Sequence, residues 1–170
     1  LRDYSLLSAF FNWCKLDKRW IDFNPVEEIR KPKKPDHRER RIEEHELEKM
    51  LAAFKYKPGM IPHTKMQEVA LIWLIALATG MRSGEITNCF PQDVVLSGRY
   101  IQLSDTKNGS ARKVPLDDFA LHLWSLALKI DRKGSPKVFT VSDATRDSLF
   151  RKARAQAGLE HADLTFHDSR

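Results

Sequence analysis

An arginine that could bind a phosphate follows the most hydrophobic run of the chain. That run extends from Val69 to Ala78, and Gly80 stands where a left-handed residue would end a buried helix. Arg82 comes two residues later, and a guanidinium can hold a phosphate through two parallel hydrogen bonds. Glu85 lies on the same face if this segment is helical, so it could hold Arg82 in one pose. The alternative is a surface ion pair worth about 0.2–0.5 kcal/mol.

A lysine near a predicted hairpin tip is the second candidate. Asn108-Gly109 is a strong signal for a two-residue β-turn. Such a turn would pair Lys107 with Ser110 and, further along, Asp105 with Arg112, Leu103 with Val114 and Ile101 with Leu116. The matched apolar pairs and the complementary charges support this register. Lys107 would then be a cation reaching out from the tip, although a solvated lysine is the simpler alternative.

The last residues of the sequence carry two more candidates, His167 and Arg170. They follow an apolar lead over 164–166 and would share one face of a helix. A metal site built from His161, Asp163 and His167 is conceivable, but the spacing is weak evidence for a ligand set.

Helical periodicity predicts the elements that would position these residues. We predict a helix over 43–55, the buried helix over 64–79, strands between 91 and 116, and two helices capped by Asp117 and Ser142. The fold class is therefore mainly α with a small antiparallel β-sheet, an α+β protein. Four basic residues of the last helix are interpreted as a solvated face: Arg146, Arg151, Lys152 and Arg154.

A basic linker is predicted over 30–41. It has seven Lys or Arg and two acidic residues, a local charge of +5 in a chain of net charge +6. Two prolines favour an extended backbone. Both a solvated linker and a strap across a nucleic-acid backbone fit this composition. The strap would use Lys31, Lys33, Lys34, Arg38, Arg40 and Arg41.

The segment 1–29 carries aromatic and apolar residues at helical spacing. It is too aromatic for an isolated helix, so we interpret it as the end of a preceding helical domain, with the first helix of the main domain as the alternative. Both ends of the sequence look cut.

Cys14 and Cys89 show no metal spacing and suggest buried thiols in a cytoplasmic protein. No signal peptide is evident, and the run over 69–78 is too short to span a bilayer.

Three motifs in this order resemble the tyrosine recombinases of the phage integrase family. The first is Thr79-Gly80-Met81-Arg82 with Glu85. The second is Thr106-Lys107-Asn108-Gly109 with Val114-Pro115-Leu116, and the third is the His-x-x-Arg box that ends at Arg170. The resemblance covers about residues 41–170. It implies a recombinase catalytic domain over 42–170, the linker over 30–41, and the end of a helical DNA-binding domain over 1–29.

The resemblance also implies roles for these residues. Arg82 and Arg170 would stabilise charge on the phosphate, Lys107 would be the general acid, and His167 would assist at the phosphate or at the nucleophile. Glu85 would orient Arg82, and Arg112 joins the linker residues as a DNA contact. Neither a metal nor a nucleotide cofactor would be required. The implied partner is double-stranded DNA, on which members of the family assemble as tetramers. The implied location is the prokaryotic cytoplasm, at the nucleoid when bound to DNA.

One departure limits this expectation. The family places a tyrosine nucleophile after the His-x-x-Arg box, whereas the tyrosines of this chain are Tyr4, Tyr56 and Tyr100. We therefore expect the 170 residues alone to be inactive in a site-specific recombination or integration that proceeds through a 3′-phosphotyrosyl intermediate. The alternative is a non-catalytic DNA-binding or regulatory module that keeps the fold.

Overall fold

The computed structural model describes residues 2–31, 33, 40–103 and 111–169. The chain divides into two compact units, Leu1–Glu39 and Arg40–Arg170. In the described residues, none of the helices is both long and apolar enough to cross a membrane.

The first unit is organised around helix α1, Arg2–Leu16. Asn24 holds the returning chain against this helix, since its Nδ2 donates to Asn12 Oδ1 (2.9 Å) and its Oδ1 accepts from the Val26 N–H. Much of the apolar surface of this unit remains exposed, including Leu6, Leu7, Phe10, Trp13, Leu16, Trp20 and Phe23.

The second unit contains the remaining elements. The helices are α2 (Glu44–Ala53), α3 (Lys65–Thr79), α4 (Ser83–Thr87), α5 (Asp118–Ala127) and α6 (Asp143–Gln156). The strands are β1 (Val94–Val95), β2 (Tyr100–Leu103) and β3 (Arg112–Pro115), and short 3-10 turns cover Pro91–Asp93 and Phe166–Ser169. This is the predicted mainly α protein with a small antiparallel sheet.

Helix α3 lies at the centre of the second unit. All residues from Val69 to Ala76 are buried, as expected for a helix that is apolar on every face. It packs against α4, α5, α6 and the final turn, Phe166–Ser169. Thr64 caps its start by accepting a hydrogen bond from the Gln67 N–H. Gly80 ends it in the left-handed conformation at φ +63°, confirming the predicted stop.

The sheet is antiparallel with strand order β1-β2-β3. The predicted hairpin register is wrong by two residues, because Ile101 pairs with Val114 and Leu103 pairs with Arg112. A slip of two leaves every side chain on its own face of the sheet, so the alternation of apolar residues cannot distinguish the two registers. The turn that would decide between them, Asn108-Gly109, lies outside the described residues.

The interpretation of the α6 basic residues as a solvated face is wrong for Arg146. Its side chain is buried, and it is flanked by Asp143 and Asp147, which both accept hydrogen bonds from its guanidinium. A buried arginine of this kind is tolerated because it is paired and hydrogen-bonded.

Candidate phosphate-binding site

Arg82 lies on the tight connection between α3 and α4. The N–H of Gly80 donates to the Ala76 carbonyl (2.9 Å), which completes the end of α3. Met81 is fully buried, so it anchors the connection in the core. Arg82 is the N-cap residue of α4 with extended backbone, and its side chain is 42% exposed. The guanidinium therefore reaches solvent from a backbone that the core holds in place.

Glu85 organises the site through both of its carboxylate oxygens. Oε2 accepts from the Arg82 backbone N–H (2.8 Å), and Oε1 accepts from Arg82 Nη1 (3.2 Å). Oε2 also accepts from Nη2 of Arg112 (2.8 Å). The Glu85 side chain is only 9% exposed. As predicted, the glutamate holds the arginine three residues before it, and it does so while holding a second arginine.

The environment of Glu85 lowers its pKa. Burial by itself raises that pKa, but the backbone hydrogen bond from Arg82, the positive charge of Arg112 and the side-chain hydrogen bonds of both arginines outweigh burial. Glu85 is therefore ionised at neutral pH and makes the charge-assisted hydrogen bonds just described.

This lowered pKa predicts a pH-dependent stability. A carboxylate whose pKa falls on folding stabilises the fold above its unfolded pKa and loses that contribution as pH falls through its folded pKa. We expect Glu85→Gln to lower the free energy of unfolding by about 1–3 kcal/mol at pH 7. The difference from wild type should shrink below the ordinary pKa of 4.5. Urea denaturation of both proteins at several pH values between 7 and 3 measures this difference in the free energy of unfolding.

The matched control for that experiment is Glu160→Gln, since Glu160 is an exposed glutamate in the same unit. It should stay within about 0.5 kcal/mol of wild type throughout. A Glu85→Gln penalty that is the same at pH 7 and pH 3 would contradict a contribution from the ionised carboxylate.

The structure brings Arg112 to Glu85, while the partner expected from the sequence, Asp105, lies outside the described residues. The predicted register placed Arg112 opposite Asp105, whereas Arg112 lies opposite Leu103 and its guanidinium contacts Glu85. Of the sequence-predicted residues, Arg82, Glu85 and Arg112 therefore form one cluster. Lys107 and Arg170 lie outside the described residues.

His167 lies on the final turn, Phe166–Ser169, and its side chain is exposed. Its neighbours anchor the turn on either side. Phe166 packs on Phe150 of α6, with ring centroids 5.3 Å apart, and Asp168 Oδ2 accepts from the Thr165 N–H (2.7 Å). An open cleft of about 440 Å³ runs between α6 and this turn, and His167 lines it. The imidazole is thus presented to solvent by a turn that packs on α3.

A chain of contacts through Arg146 links the helix of Arg82 to the turn of His167. Thr87 of α4 donates to Asp143 Oδ1 (3.1 Å), and Arg146 donates to the same oxygen (2.7 Å). The Arg146 guanidinium carbon lies 5.2 Å from the Phe166 ring centroid. The sequence held a signal for this, because Arg146 shares the helical spacing of Phe150 and Ala153, both of which are buried.

The linker residues have different environments. Lys31, Lys33 and Arg41 are exposed, while Lys34 and Arg38 lie outside the described residues. Arg40 belongs to the second unit. Its guanidinium lies 2.5 Å from Glu46 Oε1 and 3.9 Å from Asp168 Oδ2, so this cation is largely committed to ion pairs within the unit.

The described residues contain no group of three or more His, Cys, Asp or Glu side chains that could hold a metal ion. Cys14 and Cys89 are both buried free thiols, and burial raises the pKa of Cys89 to about 12, with a further contribution from the charge of Asp93. A thiol that remains protonated is a poor nucleophile.

Comparison with known proteins extends these observations. A putative integrase/recombinase of Haemophilus influenzae is 34% identical over 172 residues, which cover 100% of this chain and 47% of that protein. A shufflon-specific DNA recombinase of Escherichia coli is 31% identical over 168 residues, covering 99% of this chain and 40% of that protein. The chain thus spans about half or less of the length of these relatives.

Solved structures show the same fold. A lambda integrase dimer (residues 75–356) bound to a COC′ core site superposes with a TM-score of 0.69 at 23% identity, covering 98% of this chain and 59% of that one. XerA recombinase gives a TM-score of 0.53 at 19% identity, covering 98% and 65%. The sequence model of the phage integrase family matches residues 40–170. The chain therefore belongs to the phage integrase family.

Proposed function

We propose that this chain is part of an enzyme that cleaves and rejoins double-stranded DNA at specific sites through a 3′-phosphotyrosyl intermediate. The observation that carries the proposal is the fixed cluster of Arg82, Glu85 and Arg112, in which the Arg82 guanidinium is held at a solvent-exposed surface. Its contact with Glu85 uses Nη1, and among the described residues no side chain is seen to occupy the other N–H donors of the guanidinium, which can serve an anion. The family and the named activities of the relatives support the proposal.

The chemistry follows from the charge of the phosphodiester. A tyrosine oxygen attacks phosphorus, the bond from phosphorus to the 5′ oxygen breaks, and the phosphate gains negative charge in the transition state. We assign stabilisation of that charge to Arg82 and Arg170, because fixed donors aimed at developing charge supply a large part of catalysis. Lys107 would protonate the departing 5′ oxygen, and His167 would hydrogen-bond the phosphate or assist removal of the proton from the attacking tyrosine. Attack by a 5′ hydroxyl on the phosphotyrosine reverses the step, so rejoining needs no external energy source.

The nucleophile in this proposal is a tyrosine outside these 170 residues. The Tyr56 side chain is buried, donates to the Met60 carbonyl (2.8 Å) and has a pKa that burial raises to about 12. Tyr100 lies under the Lys113 ammonium, and Tyr4 belongs to the first unit. We therefore propose that the 170-residue chain alone does not cleave DNA. The parent protein is this chain together with the segment that carries the tyrosine.

The rest of the chain is assigned to DNA binding in the same proposal. Residues 1–29 would end a helical DNA-binding domain, 30–41 would cross the backbone as a basic linker, and 42–170 would be the catalytic domain. The parent protein would act as a tetramer on DNA in a prokaryotic cytoplasm. The exposed Lys31, Lys33 and Arg41 support backbone contacts, since lysine and arginine neutralise phosphates at a range of sequences.

A non-catalytic DNA-binding module is the second candidate, favoured by the structural contacts of the three tyrosines. A nicked duplex distinguishes the two functions. Cleavage releases a short strand from it, so rejoining is prevented and a covalent intermediate accumulates. The parent enzyme should trap a covalent protein–DNA adduct, whereas a module should bind without one. Salt titration of duplex binding by the 170-residue chain gives a further test. The slope of the logarithm of the binding constant against the logarithm of salt concentration should gain about 0.9 in magnitude for each phosphate contact. A slope near zero would contradict both functions.

A further inference from the structure

Two guanidiniums share a single buried carboxylate at the exit of α3. Arg82 and Arg112 approach different oxygens of Glu85 with their side chains, at 3.2 Å and 2.8 Å. Both arginine side chains are close to half exposed, at 42% and 43%, whereas that of Glu85 is 9% exposed. The carboxylate is thus enclosed and its two cationic partners face solvent.

The arrangement has an electrostatic consequence for anion binding. Arg82 and Glu85 alone would form a neutral pair, whose attraction for a phosphate is weaker than that of a free guanidinium. The second arginine returns the cluster to a net charge of +1. Glu85 can then orient Arg82 without cancelling the positive charge that a phosphate would meet.

The arrangement also has a geometric consequence. Arg112 begins β3, and its backbone position is fixed by pairing with β2, where Ile101 and the opposite Val114 are both buried. From this fixed backbone the Arg112 guanidinium reaches Glu85 Oε2 at 2.8 Å, so its hydrogen bond to the carboxylate positions it. By holding Oε2 of Glu85, Arg112 keeps the carboxylate in an orientation in which Oε1 faces the Arg82 guanidinium.

We propose that Arg112 is a positioning residue for Arg82, acting through the shared Glu85 carboxylate to fix the Arg82 guanidinium and to keep the cluster positively charged. This inference rests on the proposed function, in which Arg82 binds the reacting phosphate. It gives Arg112 a role that is distinct from a simple contact with the DNA backbone. A backbone contact would contribute to binding and to cleavage alike, whereas a positioning residue affects cleavage more.

The test compares three variants of the parent protein. Arg112→Gln removes the charge, Arg112→Lys retains it without the planar fork, and Arg99→Gln is the matched control. Arg99 is also an exposed arginine paired with a carboxylate, that of Asp118, and it has no contact with Glu85 among the described residues. Single-turnover cleavage of the nicked duplex and the duplex Kd are measured for each.

We expect Arg112→Gln to slow cleavage about tenfold or more, the scale of one charged hydrogen bond, with a change in Kd of less than about threefold. Arg112→Lys should recover part of the rate, and Arg99→Gln should stay within about twofold of wild type. Equal losses in rate and Kd for Arg112→Gln, or no loss of rate, would overturn the proposal.

A second readout uses the 170-residue chain and needs no cleavage. Because Arg112 helps to hold the Glu85 pKa down, a carboxyl-carbon NMR titration should show a higher Glu85 pKa in Arg112→Gln and no change in Arg99→Gln. The Arg82 Nε–H signal should shift on adding duplex in wild type and shift less in Arg112→Gln. If the wild-type parent forms no adduct, the proposed function fails. If duplex shifts the Arg82 Nε–H signal equally in wild type and Arg112→Gln, the positioning role of Arg112 is overturned.

Discussion

Replacing Arg82 with alanine is expected to slow DNA cleavage by the parent protein by about 10²–10³-fold, the cost of losing one preorganised donor to a charged transition state. The guanidinium is fixed by Gly80, Met81 and Glu85, so it needs little reorganisation when the phosphate gains charge. Duplex binding should weaken far less, because the other proposed DNA-contacting cations would remain. Single-turnover cleavage and the duplex Kd measure the two effects separately.

The control for this prediction is Arg82→Lys. It keeps the charge but loses the planar fork, so the rate should recover only in part. Urea denaturation of each variant shows whether Glu85, left with fewer donors, has destabilised the fold. If the alanine variant cleaves at the wild-type rate, Arg82 does not stabilise the reacting phosphate.

The second large effect is expected for Lys107→Ala. A general acid contributes about 10²–10⁴-fold, so cleavage should slow by that factor while the Kd changes little. A substrate with sulfur in place of the bridging 5′ oxygen should restore the rate, because a thiolate leaves without being protonated. Single-turnover cleavage of both substrates measures the recovery.

The matched control is Lys113→Ala, which removes a neighbouring lysine whose ammonium lies over the Tyr100 ring. It should cleave both substrates at rates close to wild type. Failure of the sulfur substrate to rescue Lys107→Ala would contradict proton donation. Equal losses in rate and affinity would identify Lys107 as a backbone contact.

The position of Arg82 could be predicted because it depends on local sequence. An apolar helix that ends at a glycine places the next residues on an exit turn, and a glutamate three residues on is within reach of the arginine. The starts of α3, α5 and α6 are predictable for the same reason, because Thr64, Asp117 and Ser142 cap their N-termini through their own side chains.

The partner of Arg112 could not be predicted because it depends on contacts between distant segments. A hairpin slip of two residues preserves the alternation of buried and exposed side chains, so that alternation fits both registers equally. Arg112 of β3 meets Glu85 of α4 through an ion pair between residues 27 positions apart in the chain. Arg146 differs, because its helical spacing places it on the buried face although its charge favours exposure.

In the proposed reaction this chain supplies the phosphate-binding residues, and a tyrosine takes the 3′ phosphate. The most direct measurement is the identity of the bond in the adduct that the parent protein forms with a nicked duplex. Mass spectrometry of the digested adduct should find a 3′-phosphate on a tyrosine outside these 170 residues. A serine linkage, a 5′-phosphate linkage, or duplex binding without any adduct would contradict the account.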